Sequence, residues 1–140
     1  MQVMKKILMV TLIAILANSI FAQNKQHQIV FDFTKQDTAS FSMIVRQTKN
    51  IMNITGNAQL EVVCYGPGLD LLVKDKTNVQ KEIEELQSKF NVKFVACEFT
   101  MKRRGIEKTQ LLSQVTTVPA AVVEISSKQQ EGWSYIKAGY

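Results

Sequence analysis

Short apolar runs alternate along this chain with segments whose apolar residues recur every three or four positions, and that alternation restricts its fold more than any other feature. Successive strands joined through a helix must pair in parallel, because an antiparallel partner needs only a tight turn while a parallel one needs a crossover of about a dozen residues or more. Residues 28–33, 60–65, 92–96, 115–118 and 134–137 read as strands. Between the first two, Phe41, Ile44, Val45, Thr48, Ile51 and Met52 line one face of a helix that Asp37 can cap and Gly56 can end. Asn78 is the expected cap of a second helix, with Val79, Ile83, Leu86 and Phe90 inward and Lys81, Glu82, Glu84, Glu85 and Lys89 toward solvent. A short basic helix after Cys97 stops at Gly105, residues 107–112 form a helical turn, and Pro119 opens a last helix. The expectation is an α/β fold: a single-domain three-layer sandwich whose mostly parallel five-stranded sheet is covered on both faces.

The N-terminus is of a different kind. Lys5 and Lys6 precede an apolar run over residues 7–17, followed by a polar break and Phe21-Ala22. The run is shorter than the roughly 20 residues of a spanning helix and fits an export signal spanning 1–22, cut after Ala22. Removal leaves residues 23–140 as one α/β domain, periplasmic or secreted, with no membrane attachment after cleavage. The net charge of +5 falls to +3 without Lys5 and Lys6. So mild an excess does not suit nucleic acid, and the one dense basic cluster, Lys102-Arg103-Arg104, fits a solvated helix face.

Chemistry concentrates at Cys97, where a strand hands over to a helix. Unpaired N–H groups and the positive end of the helix dipole favour a thiolate there. Lys102, Arg103 and Arg104 push the same way and Glu98 opposes them. The alternative is a plain core residue, since free cysteine packs as a small hydrophobe. Cys64 is the only other cysteine. If a strand lies between the two, they stand about 9.5 Å apart, beyond the roughly 7 Å that a disulfide can span. Two free thiols are expected. Gly66-Pro67-Gly68 closes the second strand at the same sheet edge, the edge at which parallel α/β sheets hold ligands. Leu71 replaces the third glycine of a dinucleotide fingerprint, so this segment reads as a pocket wall and not a phosphate cradle. His27 is the only histidine, which excludes a Ser/His/Asp hydrolase resting on another imidazole and makes a metal site improbable. No cofactor is expected. Trp133 and Tyr135 read as core or interface aromatics.

These stretches carry a resemblance. Tyr65-Gly66-Pro67-Gly68-Leu69-Asp70 with the residues up to Asp75, the segment from Phe94 through Cys97 to Gly105, the segment 118–124 and the segment 131–137 resemble the DsrE/DsrF-like family, including its TusD-type sulfur-relay subunits. The cysteine followed eight residues later by a glycine, with basic residues before it, is the most specific element. The resemblance implies a five-stranded α/β sandwich, assembly as a homo-oligomer (trimer or hexamer), and Cys97 as the persulfide position in exchange with a sulfur donor or acceptor protein. Glu98, Arg103 and Gly66-Pro67-Gly68 are then the expected binding residues around it. An export signal departs from the cytoplasmic relay members. It leaves a non-covalent binding module and a thiol redox protein as alternatives on the same fold.

Overall fold

The computed structural model describes residues 26–139 together with Met1 and Met4; the expected signal segment and its cleavage bond otherwise lie outside the described residues. Five strands form one sheet: β1 (Gln28–Phe33), β2 (Gln59–Cys64), β3 (Val92–Cys97), β4 (Thr116–Val118) and β5 (Ser134–Ala138). Their order is β4-β3-β2-β1-β5 and every pairing is parallel. The expectation of a mostly parallel sheet thus resolves into a wholly parallel one. The helices that force it are α1 (Thr38–Thr55), α2 (Gln80–Lys89), α3 (Glu98–Arg104) and α4 (Ala121–Gln130).

The sheet faces are covered unequally. Ile29, Phe31 and Phe33 of β1, Leu60, Val62 and Cys64 of β2, and Val92, Phe94 and Ala96 of β3 share the main core with Phe41, Ile44 and Met52 of α1 and with Ile83 and Leu86 of α2. The opposite face carries a smaller cluster, Val30, Val63, Val95 and Cys97, under Ala121 and Ile125 of α4. That division follows from the period of two along each strand, which sends neighbours to opposite faces. α4 carries the chain from β4 at one edge to β5 beyond β1 at the other, so it crosses this second face and its first turn lies beside the end of β3.

Local signals set most boundaries. Asp37 accepts the Ser40 N–H at 2.8 Å and caps α1, and Gly56 closes that helix in the left-handed region. Asn78 is not the cap of α2: Val79 holds the cap position, and its N–H bonds the Thr77 hydroxyl at 3.3 Å. Pro119 stands before the cap of α4, which is Ala120, so it lies outside the helix it was expected to open. Gly66–Leu72 is wound as a 3₁₀ helix and not as an open loop, with Leu69, Leu71 and Leu72 driven into the main core. Its apolar content explains the winding, because a loop would leave those side chains in water.

Both cysteines are free, as expected, but for a different reason. No strand separates them, since β2 and β3 are neighbours and Cys64 pairs with Ala96. Cys97 is one residue further on and so faces the other side of the sheet, in a different cluster from Cys64. The body of the sheet keeps the thiols apart.

Candidate functional site

Parallel strands all end on one edge, and four connections here leave that edge around Cys97. The thiol is the last residue of β3 and the N-cap of α3. It lines a cleft of about 340 Å³ together with Thr34 after β1, Tyr65 and the start of the Gly66–Leu72 segment, Phe99 and Thr100 of α3, and the first turn of α4. The residue is only 4 % exposed, so a reagent must reach the sulfur through the cleft.

Two helix N-termini converge on this sulfur. α4 has no side-chain cap, and its first N–H, that of Ala121, is given to Cys97 Sγ at 3.4 Å. α3 begins at the next residue after the thiol, and the Phe99 N–H ties to the Pro119 carbonyl at 3.2 Å, which binds the start of α3 to the loop before α4. Burial raises the Cys97 pKa, but the Thr100 N–H, the Ala121 N–H, the Thr100 hydroxyl and the Phe99 N–H together outweigh it and hold the thiol below its ordinary value. Hydrogen-bond donors lead among the groups that lower it, as the sequence expectation put helix N–H groups first, while the charge of Lys102-Arg103-Arg104, expected to push the same way, is not among the leading causes. Cys64 has only burial acting on it, in an apolar core, which pushes its thiol far up.

The expected binding residues divide. Gly66, Pro67 and Arg103 line the cleft with Cys97. Gly68 does not; it packs behind, where a Cβ would stand 2.5 Å from the Phe33 carbonyl oxygen and 2.7 Å from the Thr34 Cα. Glu98 turns aside: its Oε1 accepts the Thr117 hydroxyl at 2.5 Å and lies 3.6 Å from Lys108 Nζ. Engaged there, it opposes the thiolate less than its adjacency in sequence suggests.

Several contributors were not foreseen. Thr100 Oγ1 accepts the Gly66 N–H at 3.1 Å. Arg104 donates to the Gly66 carbonyl at 3.0 Å and pairs with Asp70 Oδ1 at 2.7 Å. Asp70 also accepts Gln36 Nε2 at 2.8 Å and lies 3.3 Å from Lys76. Burial alone would raise this carboxyl, yet Gln36, Arg104 and Lys76 hold it below the usual carboxylate range. A buried acid inside Leu69-Asp70-Leu71-Leu72 was the readable signal, because such a residue is rarely buried unpaired. On the β1 side, Asp32 accepts the Tyr135 hydroxyl and Lys137 Nζ, each at 2.9 Å. Burial, with the Asp32 charge second, pushes the Tyr65 phenol up to about 12, so Tyr65 meets the cleft as a neutral wall. Among the described residues, no group of three or more His, Cys, Asp or Glu side chains is placed to hold a metal ion.

These observations define a wholly parallel α/β domain with one cysteine in a cleft at the carboxyl edge of its sheet and a second sealed in its main core. Residues 13–138 match the model of the DsrE/DsrF-like family, and the chain belongs to that family. Among solved structures, it is similar to a protein of unknown function from Methanobacterium thermoautotrophicum, with 28 % identity and a TM-score of 0.75 over 80 % of this chain and 99 % of that one. The ychN protein from E. coli has a TM-score of 0.67 at 18 % identity, over 80 % of this chain and 99 % of that one. A conserved protein of unknown function from Bacteroides thetaiotaomicron has a TM-score of 0.63 at 18 % identity, over 79 % and 93 %. At 18 % identity the latter two speak to the fold alone. No curated protein matches.

Proposed function

We propose that this protein is an exported sulfur carrier, related to the TusD-type relay subunits, that takes up sulfane sulfur as a persulfide on Cys97. The observation that carries the reading is the contrast between two thiols: Cys97 lines a cleft and is held below its ordinary pKa by donors, while Cys64 is sealed in apolar core with its pKa driven up. The Cys97 thiolate attacks the outer sulfur of a donor R–S–SH, an S–S bond breaks, R–S⁻ departs, and Cys97–S–SH remains. Attack by an acceptor thiolate on that outer sulfur returns Cys97 as the thiolate. Neither step needs another catalytic side chain, cofactor or metal.

Intact mass after exposure to polysulfide tests this. The protein is expected to gain one sulfur that reductant removes, and the Cys97→Ser variant, which retains Cys64, to gain none. A folded wild type that gains nothing would discard the covalent reading and leave a non-covalent ligand in the same cleft, whose Pro67, Phe99 and Val122 walls favour an apolar group. With an organic persulfide R–S–SH as the donor, a mixed disulfide Cys97–S–S–R, formed when the thiolate attacks the inner sulfur and hydrosulfide leaves, would point to redox exchange instead.

Export rests on the pattern of residues 1–22. Expressed in a host with a periplasm, the mature protein is expected there with Gln23 as its first residue; N-terminal sequencing that begins at Met1 would sink this part. Assembly into a homo-oligomer, trimer or hexamer, is supported by the exposure of Phe99, Val122 and Val123 on the thinly covered side of the sheet and at the cleft mouth.

A further inference from the structure

The cleft in front of Cys97 is apolar over most of its wall, with Pro67 on one side, Phe99 on α3, and Ala120, Ala121 and Val122 where α4 begins. Among the described residues that line it, Arg103 is the one cation and no acid is present. A thiolate at the back of such a cleft repels an incoming anion, and a cation beside the entrance offsets that repulsion.

Helical spacing brings Arg103 to that entrance. Phe99 and Arg103 are four apart on α3 and both line the cleft, whereas Arg104 turns to the Gly66 carbonyl. Helical side chains lean toward the N-terminus of their helix, so Arg103 leans back toward Phe99 and the Cys97 end. Arg103 stands six positions after the thiol, about 9 Å of rise at about 1.5 Å per residue, and the lean of a long side chain shortens that span. A molecule only a few bonds long can therefore meet both the sulfur and the guanidinium.

The neighbouring cations are already engaged. Arg104 pairs with Asp70 at 2.7 Å, Lys108 lies 3.6 Å from Glu98, and Lys137 lies 2.9 Å from Asp32. Lys102 does not line the cleft. Among the described residues, no acid forms an ion pair with Arg103. A free guanidinium fork matches a carboxylate, to which it donates two parallel hydrogen bonds. The apolar walls suit an organic body and not a bare inorganic anion, whose water they would displace without replacing its hydrogen bonds.

We infer that Arg103 sets the substrate class of the cleft: a small organic persulfide R–S–SH whose R group carries a carboxylate, held by Arg103 while its outer sulfur meets Cys97. The inference rests on the sulfur-carrier reading and names the donor. The Cys97 thiolate bonds to the outer sulfur, the S–S bond of the donor breaks, and R–S⁻ departs with its carboxylate.

Iodoacetate and iodoacetamide are close in shape and differ in charge, so the ratio of their rates at Cys97 reads the anion preference directly. Both are measured in the full chain by peptide mass, so that Cys64 does not contribute. Arg103→Gln is expected to lower the iodoacetate-to-iodoacetamide ratio about tenfold, with the iodoacetamide rate kept within about twofold. Arg103→Lys, which keeps the charge without the fork, is expected to recover part of the loss. An unchanged ratio in Arg103→Gln overturns the inference, and so does an equal fall for both reagents, which would assign Arg103 to the thiol and not to the anion. Lys102→Gln removes a charge from the same helix outside the cleft; a fall as large as that of Arg103→Gln would show a diffuse field and overturn the inference too. Sulfur uptake, followed by intact mass, is scored separately. N-acetylcysteine persulfide carries one carboxylate and the persulfide of its methyl ester none; the first is expected to load Cys97 about tenfold faster, and Arg103→Gln to erase the difference. Equal loading from the two overturns the inference and leaves the carrier function standing. Loading that depends on Arg103 with thiosulfate alone overturns the organic donor. If no donor loads Cys97, the carrier function and its donor fall together, and the alkylation ratio alone decides whether Arg103 holds an anion.

Discussion

Gly68→Ala is expected to destabilise the protein by about 3 kcal/mol, the upper part of the range for overpacking at a well-packed position, and to lower its melting temperature by about 10 °C for a domain of this size. The new methyl would stand 2.5 Å from the Phe33 carbonyl oxygen, 2.7 Å from the Thr34 Cα and 2.9 Å from the Phe33 carbonyl carbon. All three are backbone atoms at the end of β1, a central strand paired on both sides, so no side chain can swing clear. The strain must instead displace the Gly66–Leu72 segment, whose Leu69, Leu71 and Leu72 are fully buried. That displacement would carry Gly66 and Pro67 with it and open the wall opposite Cys97. Thermal unfolding followed by circular dichroism measures the first effect, and the Cys97 alkylation rate the second. A melting temperature within about 2 °C of wild type would show that the close approach is not a real constraint.

The same residue shows what was legible in the sequence. Gly66-Pro67-Gly68 was readable as a pocket wall, but only contact geometry separates Gly66, which lines the cleft, from Gly68, which lets the wall approach β1. The strands were legible to within a residue or so because a parallel sheet with helices on both faces demands short, nearly continuous apolar runs, which leave few alternatives. Strand order was not. Placing β2 next to β3, and β5 beyond β1, depends on how α4 crosses the second face, which no local pattern states. Cys97 was legible because its position depends on neighbours in sequence. The Ala121 N–H that reaches its sulfur comes from 24 residues away, and Thr100 gains a role only through Gly66, 34 residues off. Glu98 misled for the same reason in reverse: adjacency suggested a charge beside the thiol, and a hydroxyl on β4 takes that carboxylate instead.

A second large effect lies beneath α4 and is one of pH. Glu61 sits in the middle of β2, 3 % exposed, on the face that α4 covers, and its Oε1 has no hydrogen-bond partner. Burial, then the charge of Glu124, raises its carboxyl to about 7, with Lys128 and Lys93 opposing. Lys128 does little to relieve it, being shared between Glu124 at 3.7 Å and Glu131 at 3.2 Å and lying 5.0 Å over the Trp133 ring. An acid whose folded pKa exceeds its unfolded value binds its proton more tightly when folded. Its contribution to stability is therefore complete below the ordinary value of 4.5 and is lost as pH rises through about 7. The displacement corresponds to about 3 kcal/mol. Urea unfolding of the wild type is expected to show this fall between pH 4.5 and 7 relative to Glu61→Gln, whose amide cannot ionise. At pH 8 the Glu61→Gln variant should be the more stable of the two, by much of that 3 kcal/mol. Parallel stability curves for the two proteins across this range would show that Glu61 does not titrate within the fold. A true difference has a reach beyond stability, because the helix that Glu61 strains on ionising is the one whose first N–H is given to Cys97. Alkalinity that makes more thiolate would at the same time loosen one of the donors that stabilise it.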